Sequence, residues 1–152
     1  MTLRLLILFV ALFAFACNDS AESHNSREAA ANAPKSKADS LYKEVDDLHI
    51  EGMSKYGKLK LALGQVQNKL DSLVKLPKNK IDEDYQQALI DLQEDLNYAE
   101  CSMDTWMQEF KDTIKDDLER RVQYLEAEKE KVTKVRDKIL EGLKRADSLL
   151  AK

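Results

Sequence analysis

Residues 85–110 read YQQALIDLQEDLNYAECSMDTWMQEF. Within this stretch the apolar positions Tyr85, Leu89, Leu92, Leu96, Ala99, Met103, Trp106 and Phe110 follow one another in alternating steps of four and three. That alternation is a heptad seam, which lets one helix pack its knobs into the holes of a neighbour. The stripe is one-sided, so the helix cannot be stable alone and needs partners for its apolar face. Asp82 or Asp84 stands where a cap belongs.

Both flanks carry matching stripes. Upstream, Leu41, Val45, Leu48, Tyr56, Leu59, Leu63, Val66, Leu70 and Leu73 recur at helical spacing, with Gly52 in the missing seam position. Asp39 or Ser40 can cap this helix, and Pro77 stops it near Leu76. Downstream, the stripe is Leu118, Val122, Leu125, Val132, Val135, Ile139, Leu143, Ala146 and Leu150. Asp116-Asp117-Leu118-Glu119 offers a capping box, Asp at the cap and Glu three later. The expected helices are about 39–76, 83–112 and 117–150. The short connection Pro77–Lys80 makes the first two antiparallel neighbours. A turn near Thr113–Lys115 completes an all-α, up-down-up three-helix bundle of coiled-coil type. The rival is one continuous helix from Glu83 to Leu149 in a longer two-helix coiled coil. The stretch Glu126-Ala127-Glu128-Lys129-Glu130-Lys131 reads as a solvated, salt-bridged face.

Composition agrees with helices and excludes several functions. The 152 residues contain 4 Gly and 2 Pro, where ordinary frequencies would give roughly 11 and 8. No glycine-rich phosphate loop exists, so Rossmann and P-loop chemistry are out. With 24 Lys+Arg against 28 Asp+Glu the formal charge is −4, and no basic stripe suits nucleic acid.

The N-terminus reads as an export and anchoring device. Arg4 is the only charge before the apolar run Leu5–Ala16. That run is too short to span a bilayer, which takes about 20 residues. A positive start, a short apolar stretch and small residues before a cut make residues 1–16 a secretory signal peptide. Ala14-Phe15-Ala16 precedes Cys17 and resembles a bacterial lipobox, although Ala14 stands where Leu is usual and Phe15 is bulky for its slot. Cys17 is therefore the expected lipidation site. Cleavage removes Arg4 and leaves 23 bases against 28 acids, a charge of −5. Such a domain is repelled by anionic lipid, so membrane attachment falls to the N-terminal lipid, and two or more acyl chains make it stable. Residues 17–38, the lipidated cysteine and the linker behind it, contain no Leu, Ile, Val or aromatic. They form an expected disordered tether with a reach of roughly 25 Å. His24 in this linker is a solvated histidine.

One constellation carries possible chemistry. If the first connection is centred near residue 79.5, facing residues have numbers that add to about 159. Met53 then meets Trp106, Tyr56 meets Met103, and His49 meets Phe110. His49, Met53, Met103 and Met107, with Trp106 adjacent, gather at one end of the hairpin. Imidazole and thioethers are soft ligands suited to Cu(I). The set resembles, in ligand type, periplasmic copper carriers that use His, two Met and a Trp. The plainer reading is packing, since Met103 and Trp106 lie in the seam, where Met and Trp fill space. Arg120 and Arg121 pass near Met107 and disfavour a cation. Catalysis is not expected: the helical part has one histidine, and Cys101 lies on the opposite face of its helix. Cys101 is the odd cysteine once Cys17 is acylated, and it could bridge to a second copy or another protein.

The layout resembles small bacterial envelope lipoproteins labelled "viral A-type inclusion protein". The matching pieces are the lipobox, Val45–Met53 (VDDLHIEGM), Asp104-Thr105-Trp106-Met107 with Phe110, Tyr124–Leu140 (YLEAEKEKVTKVRDKIL) and Arg145–Leu150. The family usually has His-Asp-Glu where His49-Ile50-Glu51 stands, and a proline soon after the methionine where Ser54-Lys55 follows Met53. The likeness implies a helical envelope lipoprotein and brings no enzymatic activity. The expected function is a lipid-anchored, non-enzymatic spacer or protein-interaction module of the bacterial cell envelope. Its partners would be the membrane, through the lipid, and an envelope protein. The alternative is a periplasmic Cu(I) carrier.

Overall fold

A computed structural model describes residues 35–151. The expected signal peptide, Cys17 and most of the linker lie outside the described residues. The described part contains no strand. Its helices are α1 (Lys37–Met53), α2 (Tyr56–Leu73), α3 (Glu83–Glu109) and α4 (Leu118–Leu150), with a 3-10 turn over Lys78–Lys80 between α2 and α3. The stripes read from the sequence are buried: Val45, Leu59, Val66, Leu89, Leu92, Leu96, Met103, Val132 and Ile139 share one core. A smaller cluster of Ala38, Leu41 and Leu125 closes one end. Among the described residues, both clusters draw on positions within 38–150.

Several boundaries differ from expectation, each for a local reason. α1 starts two residues before Asp39, capped by Ser36, whose Oγ accepts from the Asp39 N–H at 3.1 Å. Ala38 is fully buried against Leu125, so the first turn is held by packing as well as by its cap. The ordered chain thus intrudes on the expected linker.

The first helix is two helices, not one. At Ser54 and Lys55 the backbone stays in the right-handed region, but the Lys55 N–H reaches back only to Gly52 O, at 3.0 Å. Ser54 Oγ donates to Glu51 O at 2.6 Å, a back-bond that competes with regular helix. Gly52, as expected, takes a buried seam position. A Cβ there would stand 2.6 Å from Met103 Cε, so the glycine lets α3 place a long side chain against α1.

α2 ends at Leu73, three residues short of Leu76. Pro77 disfavours helix in the residue before it, and the last turn tightens through Leu76 N–H to Leu73 O at 3.0 Å. Asp82 caps α3 as one of the two expected choices, accepting from Tyr85 N–H at 3.0 Å.

Residues 110–117 separate α3 from α4, so a continuous helix from Glu83 to Leu149 is excluded. α3 stops at Glu109, before the expected 112, and Phe110 turns extended. No proline or glycine breaks the chain here; distant side chains do. Tyr124 Oη accepts from Lys111 N–H at 2.8 Å, and Arg121 grips Asp112 through two nitrogens. Asp117, one residue later than expected, caps α4 by accepting from Arg120 N–H at 2.9 Å.

Polar pairs tie the elements together. Between α2 and α3 they are Tyr56 with Asp104, Lys60 with Glu100 and Gln67 with Gln93. Between α1 and α4 they are Lys37 with Glu126, Glu44 with Lys129 and Glu51 with Arg136. Arg145 of α4 pairs with Asp95 of α3.

Candidate functional site

The sequence places a His/Met/Trp cluster where α1 approaches α3, and the structure sorts its members. His49 lies against Trp106, ring centroids 5.4 Å apart and tilted by 44°. It was expected opposite Phe110, one turn further along α3. Met103 reaches Gly52 as well, so α1 departs from the expected register, whereas α2 keeps it: Tyr56 donates its phenol to Asp104, next to Met103, at 2.5 Å, and Lys60 pairs with Glu100. The tight turn at Ser54–Lys55 lies between these two sets of contacts.

His49 has one unsatisfied atom. Its Nε2 is buried and has no hydrogen-bond partner, while Nδ1 stands 4.0 Å from Asp46 Oδ1. A buried nitrogen without a partner is uncommon and asks for an explanation. Met103 is wholly buried. Met53 is half-buried and packs on the core. Met107 is 37 % exposed at the rim, so of the three sulfurs it is the one facing water.

Trp106 is tied up from two sides. Its ring stacks on Phe110 at 4.9 Å, and Phe110 continues to Tyr124 and Tyr42 at 6.1 Å each. Its indole Nε1 donates to Glu128 Oε2 at 3.0 Å. Glu128 is 5 % exposed, and its other oxygen accepts from Lys131 at 2.7 Å. This corrects the expectation that Glu126–Lys131 is uniformly solvated: Glu128 occupies a seam position. A signal was present, since the stripe of α4 jumps from Leu125 to Val132 and a seam residue had to fall between them. A carboxylate inside a core is costly unless each oxygen is paired, and here both are. The Lys131 ammonium is held above the usual lysine range, first by this hydrogen bond.

A second polar knot lies beside the aromatic chain. Arg121 bonds Asp112 at 2.6 Å and Asp39 at 3.0 Å. The Asp112 bonds, then Asp39, hold the guanidinium still higher than usual. Asp39 is pulled below the carboxylate range by the Ser36 hydroxyl first and Arg121 next. Tyr56 is pushed up by burial, then by its bond to Asp104. The Arg121 contacts join α1 and the α3–α4 connection to the start of α4, and the Tyr56–Asp104 bond joins α2 to α3.

Cys101 is exposed and unpaired, with Thr105 Oγ1 at 4.0 Å. Among the described residues, no group of three or more His, Cys, Asp or Glu side chains gathers as ligands, and no helix is long and apolar enough to cross a membrane. The expected soft set His49, Met53, Met103 and Met107 is thus spread between a buried Met103, a half-buried Met53 and a rim Met107.

Comparison with protein-family models, curated proteins and solved structures finds no match to this chain.

Proposed function

We propose that the chain is a lipid-anchored, non-enzymatic helical spacer or protein-interaction module of the bacterial cell envelope. In this reading residues 1–16 are a signal peptide, Cys17 carries the lipid, and the helices form an up-down-up bundle at the end of a short tether. The observation that carries it is the run Leu5–Ala16 ending in a small-x-small triplet directly before Cys17. A lipid on that cysteine explains why a thiol stands at the cleavage point. The likeness to small envelope lipoproteins belongs to the same proposal. The ion pairs support the topology: partner numbers rise together between α1 and α4, and move oppositely between α2 and α3. The polar groups inside the bundle also favour a structural role. Glu128, Trp106, Arg121, Asp112 and Tyr56 are engaged with each other or with neighbouring helices.

Metabolic labelling with a fatty-acid probe in a bacterial host tests the anchor. Wild type should be labelled and membrane-bound, and Cys17→Ser unlabelled. An unlabelled wild-type product refutes the proposal.

One observation favours a second reading, the Cu(I) carrier. The unpartnered His49 Nε2 is next to Trp106, in the region that also holds Met53 and Met103. A soft monovalent cation would satisfy that nitrogen.

A further inference from the structure

The path of the first two helices opens a groove. α1 packs along α4, whereas α2, beyond the turn at Ser54–Lys55, divides itself between α3 and α4. Between α2 and α4 a cleft of about 680 Å³ remains, running from Lys55 to Gln65 on one side and Leu140 to Ala151 on the other. At 1.5 Å per residue each wall is about 15 Å long, or three helical turns.

Its floor is aliphatic, formed by Leu61, Leu140, Leu143 and Leu150. Leu61 is 63 % exposed and lies off the stripe that runs through Leu59 and Leu63, so it offers apolar surface at the cleft. Its rim is basic: Lys55, Lys58 and Lys144, against the single acid Asp147. The chain is acidic overall, so this sign is local. Six lysines elsewhere enter ion pairs, Lys37, Lys43, Lys60, Lys129, Lys131 and Lys134, and others on the described surface stay free like those of the rim. The three rim lysines form none among the described residues.

We propose that this groove docks an acidic amphipathic helix of a partner protein. Three turns of apolar floor match the i, i+3/i+4, i+7 anchors of a helix laid in a groove. The unpaired lysines match acidic residues flanking those anchors. A bilayer surface is too flat to reach a concave floor. The inference rests on the interaction-module reading and deepens it by naming the surface and the chemistry of its partner.

The test uses the full-length chain, with circular dichroism as the check on folding. The probe is a labelled helical peptide with leucines at i, i+4 and i+7 flanked by glutamates, and its twin carries lysines instead. Anisotropy should show saturable binding of the glutamate peptide. The charge-reversed variant Lys55→Glu/Lys58→Glu/Lys144→Glu should bind it about tenfold more weakly and should now prefer the lysine peptide. Leu61→Ser should weaken both pairings. The proposal is overturned if neither peptide binds, if both bind wild type alike, or if charge reversal changes nothing. It is also overturned if sedimentation shows a dimer that the triple variant dissolves, or if anionic vesicles alone bind and lose binding in that variant. Each of these failures leaves acylation of Cys17, and hence the anchor, untouched.

Discussion

Replacing Trp106 by Phe should expose how much the buried Glu128 depends on one indole. Phe keeps a ring between His49 and Phe110 but removes the N–H that Glu128 Oε2 accepts at 3.0 Å. The carboxylate is then left with Lys131 alone, and one oxygen is buried without a donor. Orphaning a buried acceptor costs about 1–3 kcal/mol. The smaller ring leaves a gap worth about 1 kcal/mol more. A total of about 2–4 kcal/mol is a large share of a stability of about 5–15 kcal/mol. The complementary change, Glu128→Leu, orphans the indole N–H at a similar cost of about 1–2 kcal/mol. It also places an aliphatic side chain in the core, which offsets that cost by about 1.5–3 kcal/mol. Its net effect should therefore be near zero. In the double variant neither polar group is buried unpaired, so only the gap remains. The double variant should thus be more stable than Trp106→Phe alone, and the coupling should exceed about 1 kcal/mol. Urea unfolding followed by circular dichroism reads this directly. With an m-value of about 1–3 kcal/mol/M, the Trp106→Phe midpoint should fall by about 1–2 M. Additivity within about 0.5 kcal/mol would refute the argument, because it would mean that the Trp106–Glu128 hydrogen bond does not hold the carboxylate in place.

Three further outcomes are expected. A Cβ on Gly64 meets nothing within 4 Å, so Gly64→Ala should raise stability by about 0.8–1 kcal/mol from helix propensity alone. Gly52→Ala should gain nothing, since Met103 must move in a filled core; equal denaturation midpoints for the two variants would refute the packing role of Gly52. Asp39 sits below its ordinary range, so its bond to Arg121 contributes stability above pH of about 4 and loses it as pH falls through the lowered value. Asp39→Asn should flatten that acid limb of the stability curve, and an unchanged limb assigns it to other carboxylates. For the metal reading, anaerobic Cu(I) should raise the wild-type melting temperature, by mass action worth about 2.7 kcal/mol at a hundredfold excess over Kd, and His49→Ala and Met103→Leu should each lose most of that gain. An unchanged wild-type melt ends that reading.

What was legible in the sequence, and what was not, divides along physical lines. The seam of α3 was readable because burial enforces its period: Leu89, Leu92, Leu96, Ala99, Met103 and Trp106 are all buried. The Asp82 cap was readable because a cap acts within three residues. The errors concern contacts made across the chain. Just before the turn at Ser54–Lys55, Gly52 accommodates Met103 from another helix, a contact the local sequence does not announce. The end of α3 depends on Arg121 and Tyr124, which come later in the chain and hold Asp112 and Lys111. Glu128 looked solvated because its partner, Trp106, is 22 residues away. The register of the candidate cluster shared this fate: His49 meets Trp106 rather than Phe110, because the first helix is interrupted at Ser54–Lys55 and α1 runs along α4. Two of these misses, the end of α3 and Glu128, fall toward the pole of the unit where α1, the α3–α4 connection and the start of α4 meet. That concentration has a reason. A seam made mostly of leucines can slide by a heptad at little cost, so apolar periodicity says which faces are buried but leaves their register loosely set. A buried carboxylate with two donors, and an arginine shared by two acids, are satisfied in one register only. Trp106, Glu128 and Arg121 therefore do what the stripe cannot: they select one packing among several that bury the same area.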